Sequence, residues 1–291
     1  MTTQNPTPAS QGAPDTPSSG RNAPARRPNT LRTVLLVVGS IVIVLVLAFA
    51  AVRIVRALNN EDTSGIHPIS QSFETLELRS SAADVVILRE SGVDRTELRF
   101  DQGDTNLRLE YAVRGGVLKA TVGNDDWGWW GFGNWGDWRS RGALITVVLP
   151  ADADAIALDL RSTAGDVDVD GDFTDVAVRS TAGNVTLSGS AGELRLDTTA
   201  GEAALDDFSV SGSFRSETTA GDMDFDFAEL PRSIDVRSTA GTVRVGLPDG
   251  RYRIEADSTA GSIRNEVSSD ASSDRVYRFT TTAGDIELYT R

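Results

Sequence analysis

The sequence contains no cysteine and only one histidine, His67. Without cysteine, neither a disulfide framework nor a thiolate metal site can form. His67 stands before Pro68, a context typical of a loop, and histidine chemistry normally needs a partner within hydrogen-bond reach. We therefore expect no cofactor, no metal centre and no histidine-based catalytic site.

Positive charge is scarce beyond the first sixty residues. Residues 1–60 carry a net charge of +5 and the whole chain of 291 residues carries −14, which leaves −19 for residues 61–291. A segment this acidic repels nucleic acid, anionic lipid headgroups and other polyanions. We therefore expect no nucleic-acid partner.

The N-terminal part divides into a polar tail and an apolar run. Residues 1–30 contain six prolines and no aromatic residue, too little apolar surface to offset the entropy lost on folding. The run from Thr33 to Val52 holds twenty residues without a charge, and a helix of that length spans the ~30 Å of a bilayer's hydrocarbon core. We predict a disordered tail over residues 1–32 and one transmembrane helix over residues 33–55.

A cleaved signal peptide is the alternative interpretation of this run, because Ala48-Phe49-Ala50 resembles a cleavage site. Four arginines precede the run and two follow it, with acidic residues just beyond. The positive-inside bias then predicts a cytoplasmic N-terminus and an extracytoplasmic C-terminal domain. The predicted location is the cell membrane, crossed once, with residues 56–72 as a linker and a repeat domain over residues 73–291.

A Ser/Thr-Thr-Ala-Gly tetrad recurs in the C-terminal half at glycine spacings of 18 to 23 residues. Arg79–Val85 has the composition of a degenerate earlier copy. Apolar residues lie at odd offsets before each glycine and at even offsets after it, which predicts two short strands with one buried face per repeat. The glycines that mark these predicted corners are Gly165, Gly183, Gly201, Gly221, Gly241, Gly261 and Gly284.

A glycine at each change of phase turns the chain at the least steric cost, through positive φ or a bulge. The first Ser/Thr of the tetrad shares the buried parity, so stacked copies would form a column of hydroxyls. One repeat cannot bury its own apolar face, whereas stacked neighbours can. We predict an all-β, right-handed β-solenoid with one coil per repeat; the alternative is an antiparallel meander or sandwich.

The strand Val147–Pro150 and the repeated T-A-G-D-V-x-V resemble a bacterial family of β-strand-repeat domains named putative adhesins, whose function is unknown. The resemblance extends over about residues 70–291. It implies a β-helical extracytoplasmic module, often on a membrane anchor, and brings no catalytic residues with it.

All five tryptophans lie in one glycine-rich segment, predicted as an insertion over residues 123–142 at a hairpin tip. Exposed aromatic side chains offer large rigid contact area and mark binding surfaces. The alternatives are a self-packed lid over the end of the solenoid and a plain disordered loop. The candidate partner-binding residues are Trp127, Trp129, Trp130, Phe132, Trp135 and Trp138.

The outward positions after the corner glycines are rich in acids. Stacked carboxylates could collect Ca²⁺, but a solvated face is the simpler interpretation. These acids are Asp166, Asp168, Asp170, Asp222, Asp224, Asp226, Asp285 and Glu287. In the mixed row of charges before the glycines, paired acids could act as in a glycosidase, although the repeat singles out no pair.

Together these patterns predict a membrane-anchored, non-catalytic binding or adhesion scaffold at the cell envelope, with an unknown protein or glycan partner at the cell surface. The alternative is an accessory or regulatory envelope protein that couples to membrane neighbours through its tail and transmembrane helix.

Overall fold

The computed structural model describes residues 64–124 and 142–291, and within these ranges the chain forms strands and turns without a helix. Seven strands precede the tetrad repeats: β1 Gly65–Pro68, β2 Thr75–Ser80, β3 Ala83–Glu90, β4 Glu97–Asp101, β5 Arg108–Arg114, β6 Val117–Gly123 and β7 Ala143–Pro150. The repeats supply β8 Ile156–Ser162, β9 Val167–Ala182, β10 Val185–Ala191, β11 Glu193–Ala200, β12 Ala203–Val210, β13 Ser213–Ala220, β14 Met223–Phe227, β15 Ser233–Ala240, β16 Val243–Leu247, β17 Arg253–Ala260, β18 Ile263–Asn265, β19 Val276–Ala283 and β20 Ile286–Thr290.

The strands follow the period-two pattern of the sequence. In β8, Leu158 and Leu160 are buried, whereas Arg161, which follows Leu160 in the strand, is exposed. After each corner the buried parity changes, so that Val167 and Val169 are buried and Asp168 is exposed. Alternate side chains point to opposite faces of a strand, and the apolar set therefore lines one interior.

The strands form two sheets that enclose this interior. Sheet A has the spatial order β1-β4-β7-β3-β9-β10-β12-β14-β16-β20-β18, and sheet B has the order β5-β6-β2-β8-β9-β11-β13-β15-β19-β17. β9 bends through a corner and belongs to both sheets. Each coil of chain thus contributes one strand to sheet B and the next strand to sheet A.

Parallel pairing confirms the predicted solenoid-like stack. Val185 of β10 pairs in register with Val167 on one side and with Ala203 on the other. From β6 to β17 in sheet B and from β7 to β18 in sheet A every pair of neighbouring strands is parallel. A meander or sandwich would require antiparallel neighbours, so that alternative is wrong.

The coils do not stack in chain order at either end. The last coil, β19 and β20, lies between the β15–β16 coil and the β17–β18 coil. The degenerate first copy, β2 and β3, likewise lies between the β6–β7 coil and the repeats. The coil at the outer edge, β17–β18, is also the least apolar: Ala256 and Asn265 stand in its rows, and Ile263 is exposed.

The loop over residues 266–275 crosses the outer edge of the β17–β18 coil as it leads to β19. The Ile254 N–H donates a hydrogen bond to Ser269 Oγ at 3.0 Å, and the Asp270 N–H donates to the Tyr252 carbonyl at 2.8 Å. Ser272 and Arg251 bind the Asp270 carboxylate and lower its pKa to about 2. The loop thus occupies part of a sheet edge that would otherwise be open to pairing.

The opposite end is closed by antiparallel strands. β5 pairs with β6 at the edge of sheet B, while β4 pairs with β7 and β1 pairs with β4 at the edge of sheet A. Gly65–Pro68, predicted as part of the linker, therefore form an edge strand of sheet A, because they pair with Glu97–Phe100. His67, expected in a loop, lies in β1 with its ring centroid 5.4 Å from that of Tyr111.

Large aromatic side chains fill the C-terminal coils. Phe214 packs edge-on against Phe225 and Phe227, with ring centroids 5.0 and 5.2 Å apart. Tyr252 and Tyr277 stack at 5.1 Å, and the Tyr277 hydroxyl donates a 2.7 Å hydrogen bond to the Pro231 carbonyl. Burial of the Tyr277 phenol raises its pKa well above its usual range.

Candidate functional site

The corner between sheet B and sheet A repeats in every coil and has little space for a side chain. Gly183 has φ 110°, and a Cβ added there would overlap the carbonyl oxygen of Gly165 in the neighbouring coil. Gly221 has φ 133° and meets Gly201 in the same way. L-residues rarely adopt this backbone conformation, so both conformation and close stacking require glycine here.

A column of aspartate and asparagine side chains follows the corner glycines. Asp166 Oδ1 accepts a hydrogen bond from the Asn184 N–H at 2.8 Å, and Asn184 Oδ1 accepts one from the Glu202 N–H at 3.0 Å. The same bond joins Asp84 to Asp166 (2.9 Å), Asp222 to Thr242 (2.8 Å) and Asp285 to Ser262 (2.7 Å). The bonds from Ser262 hold the pKa of Asp285 below its usual value. These side chains tie each coil to the next, a role that the sequence pattern alone did not indicate.

The first hydroxyl of each tetrad lies inside the corner, as its parity predicted. The Thr198 hydroxyl donates to Thr218 Oγ1 at 2.8 Å, and Ser80 Oγ donates to the Ala83 carbonyl at 2.8 Å. The buried members of the column are Ser80, Ser162, Ser180, Thr198, Thr218, Ser238 and Thr281. The column is internal and therefore stabilises the corner rather than contacting a ligand.

The tryptophan-rich insertion begins and ends at this same corner. Val122 pairs with Ser80, and Ala143 pairs with Ala83. Two residues separate Ser80 from Ala83, so in the neighbouring coil the insertion stands in place of a two-residue corner. The predicted hairpin tip is wrong, because β6 and β7 lie in different sheets and do not pair. Residues 125–141, which include the six candidate aromatic side chains, lie outside the described residues.

The outer face of sheet B carries charges of both signs in contact with one another. Arg195 Nε lies 2.8 Å from Asp197 Oδ2, and Arg215 Nη1 lies 3.2 Å from Asp235 Oδ2 on the next strand. Arg237 Nη2 approaches the same Asp235 carboxylate at 2.9 Å. The arginine side chains here are about half exposed, and exposed ion pairs contribute only a few tenths of a kcal/mol each.

The acids on the outer face of sheet A also have protein partners. Arg244 lies 3.3 Å from Asp224 and 3.2 Å from Glu287, and hydrogen bonds to these two carboxylates raise its pKa. Ser188 donates to Asp170 at 3.1 Å. In residues 64–124 and 142–291, no group of three or more His, Cys, Asp or Glu side chains is arranged to hold a metal ion.

The same two ranges contain no helix of the length and apolarity that a bilayer crossing needs. The transmembrane helix predicted over residues 33–55 and the tail predicted over residues 1–32 lie outside the described residues.

Solved structures similar to this chain include several with adhesion-related names. A putative adhesin from Bacteroides fragilis is 12% identical, with a TM-score of 0.43, over 79% of this chain and 99% of that one. A putative cell adhesion protein from Clostridium sporogenes is 12% identical, with a TM-score of 0.36, over 78% and 98%. A putative lipid binding protein from Parabacteroides distasonis is 14% identical, with a TM-score of 0.39, over 77% and 96%.

Comparison with curated proteins finds no match. The family model described as Toastrack DUF4097 matches residues 159–289, from β8 to the end of β20. These residues hold all seven tetrads, the corner glycines and the Asp/Asn column from Asp166 onward. This part of the chain therefore matches the Toastrack family DUF4097.

Proposed function

We propose that the chain is a membrane-anchored, extracytoplasmic β-repeat module that acts as a non-catalytic binding or adhesion scaffold at the cell envelope. The apolar run over residues 33–55 is its single membrane span, with the N-terminus in the cytoplasm. The stack is a right-handed solenoid, and its partner is a protein or a glycan at the cell surface.

One observation carries this proposal: both ends of the tryptophan-rich insertion attach to rigid positions of one coil. Val122 and Ala143 are fully buried and paired in register with the neighbouring coil. Twenty residues, 123–142, stand where the neighbouring coil has two. A stable corner does not require such a length, whereas presentation of aromatic side chains to a partner does.

The paired charges on both sheets support a scaffold rather than an enzyme. The acids described above contact arginines, hydroxyls or backbone N–H groups that hold neighbouring coils together. Such carboxylates stabilise the fold. The repeat also places similar groups on many coils, whereas an active site would gather them in one cleft.

Tryptophan fluorescence of the full-length chain in lipid tests the proposal, since all five indoles lie in the insertion. We expect a red-shifted emission that moves to shorter wavelength when cell-wall glycan fragments or a surface protein extract fraction is added. Protein-free lipid vesicles and Ca²⁺ are each added in separate experiments, so that their effects on the emission can be compared with that of the glycan or protein fraction. An emission that is already blue and responds to no addition would mean that the insertion is a structural cover, and the proposal would fail.

A further inference from the structure

Three arginines occupy one column on the outer face of sheet B. Arg79 of β2 pairs in register with Arg161 of β8, and Arg161 pairs with Arg179 of β9. Neighbouring parallel strands lie ~4.8 Å apart, so three guanidinium-bearing side chains leave the sheet side by side.

Elsewhere on this face the fold avoids such a series. Further along the same column stand Asp197, Glu217 and Arg237, and arginines of the adjacent column contact acids on their own or the next strand. Like charges directly opposite one another on neighbouring strands destabilise a sheet. Single pairs of like charge occur elsewhere on this face, as with Arg195 opposite Arg215, but among the described strands a series of three occurs only in the arginine column, where two such repulsions add.

The carboxylates nearby neutralise the column only in part. Arg161 lies 3.2 Å from Asp159 on its own strand, and Arg179 lies 3.3 Å from Asp197, which also binds Arg195 at 2.8 Å. Among the described residues Arg79 forms no ion pair, and Glu77 beside it contacts Lys119 at 2.9 Å. Guanidinium N–H groups in the column therefore remain available to donate hydrogen bonds to a ligand.

These donors are accessible. The side chains of Arg161 and Arg179 are 46% and 45% exposed, and Arg79 is also exposed. Glu77, Arg79, Asp159 and Arg161 line a shallow depression at one end of the column. A guanidinium presents its N–H groups as a planar fork that matches the oxygens of a carboxylate or a phosphate.

We propose that Arg79, Arg161 and Arg179 form a binding site for an oxyanion, a phosphate or carboxylate group carried by an envelope ligand. A single anionic group fits this site better than a polyanion, because the remainder of residues 61–291 is strongly acidic and repels extended negative charge. The site lies on the outer face of sheet B.

Thermal unfolding of the full-length chain in detergent, at constant ionic strength with chloride replaced by inorganic phosphate, tests the site. We expect phosphate to raise the Tm of the wild-type chain in a saturable way. Arg79→Gln removes a charge that has no ion pair, so without phosphate it should leave the Tm unchanged or raise it by roughly 1–3 °C. The same variant should lose most of the response to phosphate.

Arg237→Gln is the matched control, since Arg237 lies in the same column but contacts Asp235 at 2.9 Å. It should keep the full response to phosphate. A parallel titration with glucuronate distinguishes the two ligand chemistries, because the stronger response identifies the group that the site prefers. The proposal is overturned if neither anion raises the wild-type Tm, or if Arg79→Gln and the double variant with Arg161→Gln respond as the control does. Neither result would affect the fluorescence test of the insertion.

Discussion

The Tyr289 hydroxyl donates a 2.6 Å hydrogen bond to Asp226 Oδ1 across an intervening strand. Gly246 occupies the position between them, paired with Asp226 on one side and Tyr289 on the other. A Cβ at Gly246 would overlap the Asp226 carboxylate and lie 2.8 Å from the Tyr289 ring. The missing side chain thus lets two residues of non-adjacent strands meet.

Gly246→Ala should therefore destabilise the domain by about 1–3 kcal/mol, through crowding of the ring and loss of the hydrogen bond. Urea unfolding measures this cost. Tyr289→Phe, which removes only the hydroxyl, should cost about 1 kcal/mol. Equal stability of Gly246→Ala and the wild-type chain would show that the ring does not lie across the strand.

Substitution of a corner glycine should be more damaging. Gly183→Ala forces an L-residue into positive φ and into the carbonyl oxygen of the next coil, and the strain alone costs roughly 1–3 kcal/mol. Gly142→Ala is the control, because a Cβ there meets no atom of the described residues within 4 Å. Similar denaturation midpoints for the two variants would contradict the stacked corner.

The Asp/Asn column predicts that an acceptor oxygen matters more than a charge. Asp222→Asn keeps the oxygen that binds the Thr242 N–H and should retain near-native stability. Asp222→Ala loses it and should cost about 1 kcal/mol. If both variants are destabilised alike in urea, the negative charge is what the position requires.

Buried tyrosines predict a loss of stability at high pH. Burial raises the pKa of Tyr277, and burial followed by the hydrogen bond with Asp226 raises that of Tyr289. The folded state then keeps protons that the unfolded state releases near pH 10, so this stability is present below about pH 10 and is lost as pH rises further. Urea unfolding at a series of pH values should show this decline, and Tyr277→Phe should make it shallower. A free energy of unfolding that is constant from pH 9 to pH 11.5 would contradict it.

The insertion should be removable without loss of the fold. Replacing residues 123–142 by Ser-Ala, the pair found at positions 81–82, joins Val122 to Ala143 as Ser80 joins Ala83. We expect a folded chain with native-like β-sheet circular dichroism and a similar Tm. The variant should also lose binding to any ligand that shifts the tryptophan emission of the wild-type chain. Unfolding of this variant would mean that the insertion is part of the core.

Much of the fold was predictable from the repeat. The alternation of apolar residues on either side of Gly183 or Gly221 gave the strands, their buried faces and the parallel stack, because each repeat must use its neighbours to cover its apolar face. The buried hydroxyls followed from the same parity. The predictions for the tail, the transmembrane helix and the aromatic residues of the insertion stay predictions.

The sequence alone determined the structure of a single coil, because the strand alternation, the corner glycine and the buried face all follow from about twenty consecutive residues. Only the tertiary structure decided which coil lies beside which. The repeats leave several orders of stacking open, and in the structure the least apolar coil, β17–β18, lies at the outer edge with Ile263 exposed. Contacts between coils could be identified only from the tertiary structure, because they depend on the register between segments far apart in the chain. They include the hydrogen bonds of the Asp/Asn column, the bond of Tyr289 with Asp226, and the adjacent positions of Arg79, Arg161 and Arg179.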